Sequence, residues 1–193
     1  MPDFYVERAL DTPLCAVDER LLRRRLEACA GAYNVRWREC LVDAERQRIV
    51  CRIEAEDLPA ARAAARCLGP ERSAALLSAV PLAAATTAGV EGNAAGGEAD
   101  PGTSSVTHAG LVDVLGECRL DAPIDAQIFV REQKACDWCL DTQRVQRGPV
   151  VASTDGRRLV AFFRAPDAEA VRNAYRHAAV RFDRVVAVRR LEL

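Results

Sequence analysis

The chain repeats itself, and that constrains its fold more than any other feature. Placing Phe4 on Val114 and reading on without a gap brings Glu7 onto Glu117, Leu10-Asp11 onto Leu120-Asp121 and Pro13 onto Pro123. Further along, Cys29 meets Cys139, Arg48 and Val50 meet Arg158 and Val160, and Asp57 meets Asp167. Ala60, Arg62, Ala64 and Arg66 meet Ala170, Arg172, Ala174 and Arg176. Identity is about a quarter over roughly 64 positions, which marks two copies of one structural unit. The expected division is unit one over residues 1–82, a linker over 83–110 and unit two over 111–193. The linker carries Gly-Asn-Ala-Ala-Gly-Gly, Pro-Gly and Thr-Ser-Ser, too little apolar surface to order itself, and reads as flexible.

Each copy gives the same succession of elements. Phe4-Tyr5-Val6 is strand-like, and Pro13 precedes a helix over Ala16 to Tyr33, where Leu22, Leu26, Cys29 and Tyr33 keep helical spacing. Val35 to Val42 alternates as a strand, with Val35, Trp37 and Leu41 against Arg36 and Arg38. Arg48 to Ile53 is the next strand. Asp57 sits where a helix N-cap belongs, and Pro59 is tolerated in the first turn of a helix to about Cys67. Ala74 to Leu82 closes the copy as a strand. The second copy adds a hairpin turn at Thr154-Asp155-Gly156, a helix opened by Pro166-Asp167 and a strand at Val185 to Val188. The order β-α-β-β-α-β is that of a ferredoxin-like α+β unit. Both helices of such a unit cover one sheet face and leave the other open. Two copies in one chain can cover each other, so the expected object is an intramolecular pseudo-dimer with its sheets face to face.

The residues also resemble a known family. Phe4-Tyr5-Val6-Glu7-Arg8 is similar to its opening strand, and Val35-Arg36-Trp37, Val50-Cys51 and Glu54-Ala55-Glu56-Asp57 to its middle. Arg164-Ala165-Pro166-Asp167-Ala168-Glu169-Ala170-Val171-Arg172 resembles its second-helix signature. This is the family of small bacterial ferredoxin-like domains of unknown function that includes a nickel-binding member. The resemblance implies cytoplasmic α+β domains that pair through their sheets, and it raises metal binding. Nickel favours imidazole ligands. This chain has two histidines, His108 in the linker and His177 at the end of the second helix of copy two.

Composition narrows the partners. Lys+Arg total 27 and Asp+Glu 28, a balance that disfavours nucleic-acid and anionic-membrane surfaces. Hydrophobic residues make up 50%, enough for a real core, without an apolar run long enough to span a membrane. The start Met1-Pro2-Asp3-Phe4 has no signal-peptide pattern, so the expected compartment is the cytoplasm, with thiols reduced.

Strand alternation puts Tyr5 and Glu7 opposite Phe4 and Val6, toward the open sheet face, and Glu117 with them. Two carboxylates meeting across a pseudo-twofold can bind a divalent metal ion or basic ligand, or share a proton. The plainer alternative pairs each with an arginine such as Arg38 or Arg52. Cys51 is a metal candidate if it shares the face of Glu7, and core if it does not. Trp37 and Arg38 join Tyr5, Glu7 and Glu117 as candidate ligand contacts. Cys136-Asp137-Trp138-Cys139 is a C-x-x-C, but it aligns with Leu26 and Cys29 and reads as buried core. No Gly-rich phosphate loop, G-x-S-x-G or H-E-x-x-H is present. The first functional reading is therefore a non-catalytic protein holding a small ligand or divalent ion between its sheets. The alternatives are a cofactor-poor enzyme of oxygenase or isomerase type using the same cleft, and a ligand-free interaction module. Expected partners are that ligand or ion and a second copy of the chain, with neither nucleic acid nor membrane.

Overall fold

A computed structural model describes residues 1–68, 110–124, 129, 132 and 136–192, and the backbone alone of 74–78. The linker expected over 83–110, with His108, lies outside the described residues apart from Gly110. Among the described residues the elements run β1 (Asp3–Ala9), α1 (Ala16–Tyr33), β2 (Arg36–Asp43), β3 (Arg48–Glu54), α2 (Leu58–Ala65), a 3-10 turn (Arg66–Leu68) and β4 (Ala74–Ser78). The second half gives β5 (Val112–Arg119), α3 (Asp137–Thr142), β6 (Gln146–Ser153), β7 (Arg158–Ala165), α4 (Ala168–His177) and β8 (Arg184–Leu191).

Local chemistry sets these bounds. Asp57 caps α2 by accepting from the Ala60 amide at 2.8 Å, and Asp167 caps α4 by accepting from the Ala170 amide at the same distance. Asp18 and Glu19 lie in the first turn of α1, where negative charge suits the helix dipole. Asn34 ends α1 in the left-handed conformation (φ 50°), which asparagine tolerates well.

All strand pairs are antiparallel. Within the first half the spatial order is β4-β1-β3-β2, and within the second it is β8-β5-β7-β6. The sheet-on-sheet packing expected from the repeat takes the form of a closed barrel, because β2 also pairs with β8 and β4 with β6. Residues alternate cleanly across its wall. Phe4, Val6, Ile49, Cys51 and Ile53 join Leu22 and Leu26 of α1 and Ala61 and Ala64 of α2 in one outer core. Val114, Leu159, Ala161 and Phe163 join Cys139, Leu140, Val171 and Tyr175 in a second. The inward residues Tyr5, Leu41, Val50, Leu115, Val151, Val160, Phe162 and Val188 form a third cluster inside the barrel. The Tyr5 and Phe162 rings meet there at 5.0 Å. An eight-stranded barrel is about wide enough for its own side chains. The ligand space expected between the sheets is therefore occupied, at mid-barrel, by this cluster.

One expectation fails for a local reason. Trp37 and Leu41 are four residues apart and should share a face. The β2–β3 register slips between Trp37 and Glu39, so Trp37 lies opposite Ile53 while Leu41 lies opposite Val50. This bulge sends Trp37 to the helix-side core and Leu41 into the barrel. β6 slips at the equivalent place, between Arg147 and Val150.

The cysteines depart from the expected reduced state. Cys40 and Cys51 sit directly opposite each other on β2 and β3 and are joined as a disulfide. Cys29 of α1 is joined to Cys67 of the 3-10 turn. Cys15, Cys118, Cys136 and Cys139 are free, the last two buried as expected. No helix among the described residues is long and apolar enough to cross a membrane.

Candidate functional site

Glu7 and Glu117 do meet, at one end of the barrel, but two arginines hold them. Arg158 donates from Nη1 to Glu7 Oε2 at 2.5 Å, and from Nη2 to Glu7 Oε1 and Glu117 Oε2 at 2.9 Å each. Arg48 pairs with both carboxylates from the other side. Glu7 is 7% exposed and Arg48 6%. The ring follows the repeat, since Glu7 aligns with Glu117 and Arg48 with Arg158. Next to it Arg184 reaches Asp43 at 3.1 Å, and Asp43 accepts from the Gln47 and Arg48 amides. Beyond the ring the barrel opens into a polar mouth of about 520 Å³, flanked by Leu10, Arg119 and Asp183.

The arginines already occupy both acids. Two acids are matched by two permanent cations, which leaves no net charge for a divalent ion to neutralise. Cys51 lies behind the strand, in the helix-side core and bonded to Cys40, so it cannot join Glu7 and Glu117 around an ion. Among the described residues no group of three or more His, Cys, Asp or Glu is placed to hold one. The arginines of the ring are also not the expected Arg38 and Arg52. Arg38 pairs with Glu54 at 2.7 Å, and Arg52 with Asp3 at 2.6 Å, toward the opposite end of the barrel. Tyr5 is buried inside the barrel, where desolvation raises its pKa. Trp37 packs on the outer core, with its indole nitrogen buried and no hydrogen-bond partner. Of the candidate contacts, then, the structure brings Glu7 and Glu117 together and turns Trp37, Arg38 and Cys51 elsewhere.

The ring makes acid stability testable. Burial alone works to lift the pKa of Glu7, but the hydrogen bond and charge of Arg158 and the charge of Arg48 outweigh it, and the net shift is below the ordinary 4.5. A carboxyl with a depressed folded-state pKa contributes stability that is complete above its unfolded value and is lost as pH falls through the folded one. Urea unfolding from pH 7 to pH 3 should show stability falling below about pH 4.5. In Glu7→Gln that part of the acid loss should shrink, and an unchanged acid profile would remove Glu7 as its source.

A second cavity went unforeseen. It lies in the second half, between the outer face of the barrel and α4, encloses about 380 Å³ and is mostly apolar. Gly116, Val150, Leu159 and Ala161 floor it, and Phe129, Tyr175, Ala178 and Val180 wall it. The aligned positions show part of how the space arises. Where unit one has Val6, Cys51 and Leu68, all buried, unit two has Gly116, Ala161 and Ala178. A Cβ on Gly116 would come within 3.1 Å of Phe163 Cε2 and 3.8 Å of Tyr175 Cε2, so the glycine makes room for two rings. Those rings meet edge to face, with centroids 5.6 Å apart. Burial raises the pKa of both Cys118, on the cavity wall, and Tyr175, so each stays protonated near neutral pH. The aligned sequence holds these three large-to-small replacements beside the reverse change from Ala65 to Tyr175, and each alone looks like drift.

No family model matches the chain, and no curated protein does. Solved structures do. A provisionally assigned chlorite dismutase matches 98% of this chain over 95% of its own length, at TM-score 0.51 and 10% identity. The chlorite dismutase of Candidatus Nitrospira defluvii, solved in complex with imidazole, covers 99% of this chain and 90% of its own, at 0.52 and 12%. A heme-binding protein from Thermus thermophilus aligns at 0.44 and 11%, covering 100% of this chain and 92% of its own. What the first two share with this chain is the α+β fold.

Proposed function

We propose that the protein is a non-catalytic binding protein, built from two ferredoxin-like units as an intramolecular pseudo-dimer, that holds a small ligand in the cavity of its second half. The observation carrying this reading is the cavity itself, about 380 Å³ and mostly apolar, floored by Gly116 and Ala161 where the first half has the buried Val6 and Cys51. A concave, largely apolar cavity with a few polar groups is the usual form of a small-molecule site. Protonated Cys118 and Tyr175 suit binding better than nucleophilic chemistry, which needs the ionised form.

The fold neighbours raise haem as the ligand, and the residues do not fit it. Haem iron takes an axial histidine, thiolate, methionine or phenolate. Among its described residues the cavity wall offers neither imidazole nor thioether, and the thiol of Cys118 and the phenol of Tyr175 are held protonated. His177, at the end of α4, is exposed to solvent and not part of the cavity wall.

Filling the cavity tests the proposal. Ala178→Leu restores the side chain that unit one carries at Leu68. N-phenyl-1-naphthylamine, a neutral fluorophore that brightens in apolar sites, should bind the parent protein at one site per chain. The variant should lose at least tenfold in affinity while keeping its far-UV circular dichroism. Unchanged binding in the folded variant would place the ligand elsewhere.

A further inference from the structure

The ligand's chemistry can be narrowed, on the premise that the cavity is the binding site. We infer that the ligand is a compact, uncharged aromatic molecule of about two fused rings. Size sets the first limit. A dry protein cavity of about 150 Å³ accommodates benzene. The 380 Å³ here is about two and a half times that, and it opens to solvent on one side. Wall chemistry sets the second. Phe129 and Tyr175 present rings beside Leu159 and Val150, surfaces that favour offset or edge-on contact with another ring.

Charge sets the third limit. Glu117 borders the cavity through its main chain, because its carboxylate is bound inside the barrel by Arg48 and Arg158. Glu132 and Arg181 border it with solvent-exposed side chains, and Arg181 is paired to Asp121 at 3.3 Å. Deeper in, the polar groups among the described residues are the Cys118 thiol and the Tyr175 phenol, both neutral. A carboxylate or ammonium drawn inside would give up its water and meet no buried counter-charge among those residues, which is strongly unfavourable. A neutral ring system with at most one N–H or O–H loses nothing of that kind.

Indole, indole-3-acetate and tryptamine share one ring system and differ in charge, so they separate these terms. Isothermal titration should show indole binding the full chain at least tenfold more tightly than either charged relative. Ala178→Leu and Ala161→Val should each abolish indole binding, and two filling variants guard against one that fails to fold. Tighter binding of indole-3-acetate that is lost in Arg181→Ala would overturn the ligand class and leave the site standing. Tighter binding of tryptamine that is lost in Glu132→Gln would do the same. No binding by any of the three, together with no binding of the naphthylamine probe, would overturn the site itself.

Discussion

Arg48→Met should lower the stability of the protein by about 3–5 kcal/mol, the largest effect expected from removing any single charge here. The guanidinium is 6% exposed and balances Glu7 and Glu117 together with Arg158. Removing it leaves two buried carboxylates on one arginine. Methionine keeps much of the side-chain stem, so the loss reads the charge rather than a cavity. Arg38→Met is the control, because its pair with Glu54 is 46% exposed on the arginine side, where water screens the charges and their loss costs little. Urea unfolding of both variants measures the difference. A loss below about 1 kcal/mol for Arg48→Met would mean that water, rather than the ring, solvates these acids. Replacing all four ring residues by apolar ones of similar volume should cost far less than removing one, since breaking a buried ion pair is what leaves an uncompensated charge.

Reduction should produce the second large effect. Thiol titration of the unreduced, denatured protein should find four reactive cysteines, Cys15, Cys118, Cys136 and Cys139, out of the eight in the chain. After reduction all eight should react. The Cys29–Cys67 bridge closes a separation of 38 residues, and loop-closure entropy puts its contribution at about 4 kcal/mol. The shorter Cys40–Cys51 bridge, at a separation of 11, contributes about 3 kcal/mol on the same relation. The unfolding midpoint should therefore drop sharply in reducing buffer. Eight reactive thiols before reduction would show that neither bridge forms in solution. Both bridges lie in the first half, so it is that half whose stability follows the redox state of its surroundings.

How much of this could be read from the sequence depends on how local each cause is. The bounds of α1, at Ala16 and Tyr33, and the caps at Asp57 and Asp167 come from residues within one or two turns, and the sequence reading places them where the structure does. The bulge at Trp37 and Glu39 is different, because an extra residue in one strand is detectable only against its partner's register. The cysteine pairs were hidden for the same reason. Cys40 and Cys51 are joined because β2 and β3 pair in one register, and spacing along the chain says nothing of that. The meeting of Glu7 and Glu117 was legible from equivalence and alternation. Their partners were not: Arg158 of the second half reaches across the barrel to Glu7, a contact that exists only once the barrel closes. Yet the alignment had already set Arg48 on Arg158, and a twofold pair of acids with a twofold pair of bases was there to be noticed. The cavity needed more still, since Gly116 and Ala178 are unremarkable until Val6 and Leu68 are seen to be buried.

Closure of the barrel also governs how this molecule can meet another copy of itself. An open sheet ends in strands with unpaired amides and carbonyls, which invite another chain to add on. Here each strand has a neighbour on both sides, and the seam at β4–β6 is the shortest, with two registered residue pairs, Leu77 with Ser153 and Ser78 with Ala152. One half alone would present two raw edges, β2 and β4, and an inner face bearing Tyr5, Leu41 and Val50. Joining the two halves in one chain thus supplies the pairing that either half alone would have to seek from a neighbour. The outer helical layers offer a different meeting surface, where Trp138 on α3 and Val17 and Leu21 on α1 stand exposed.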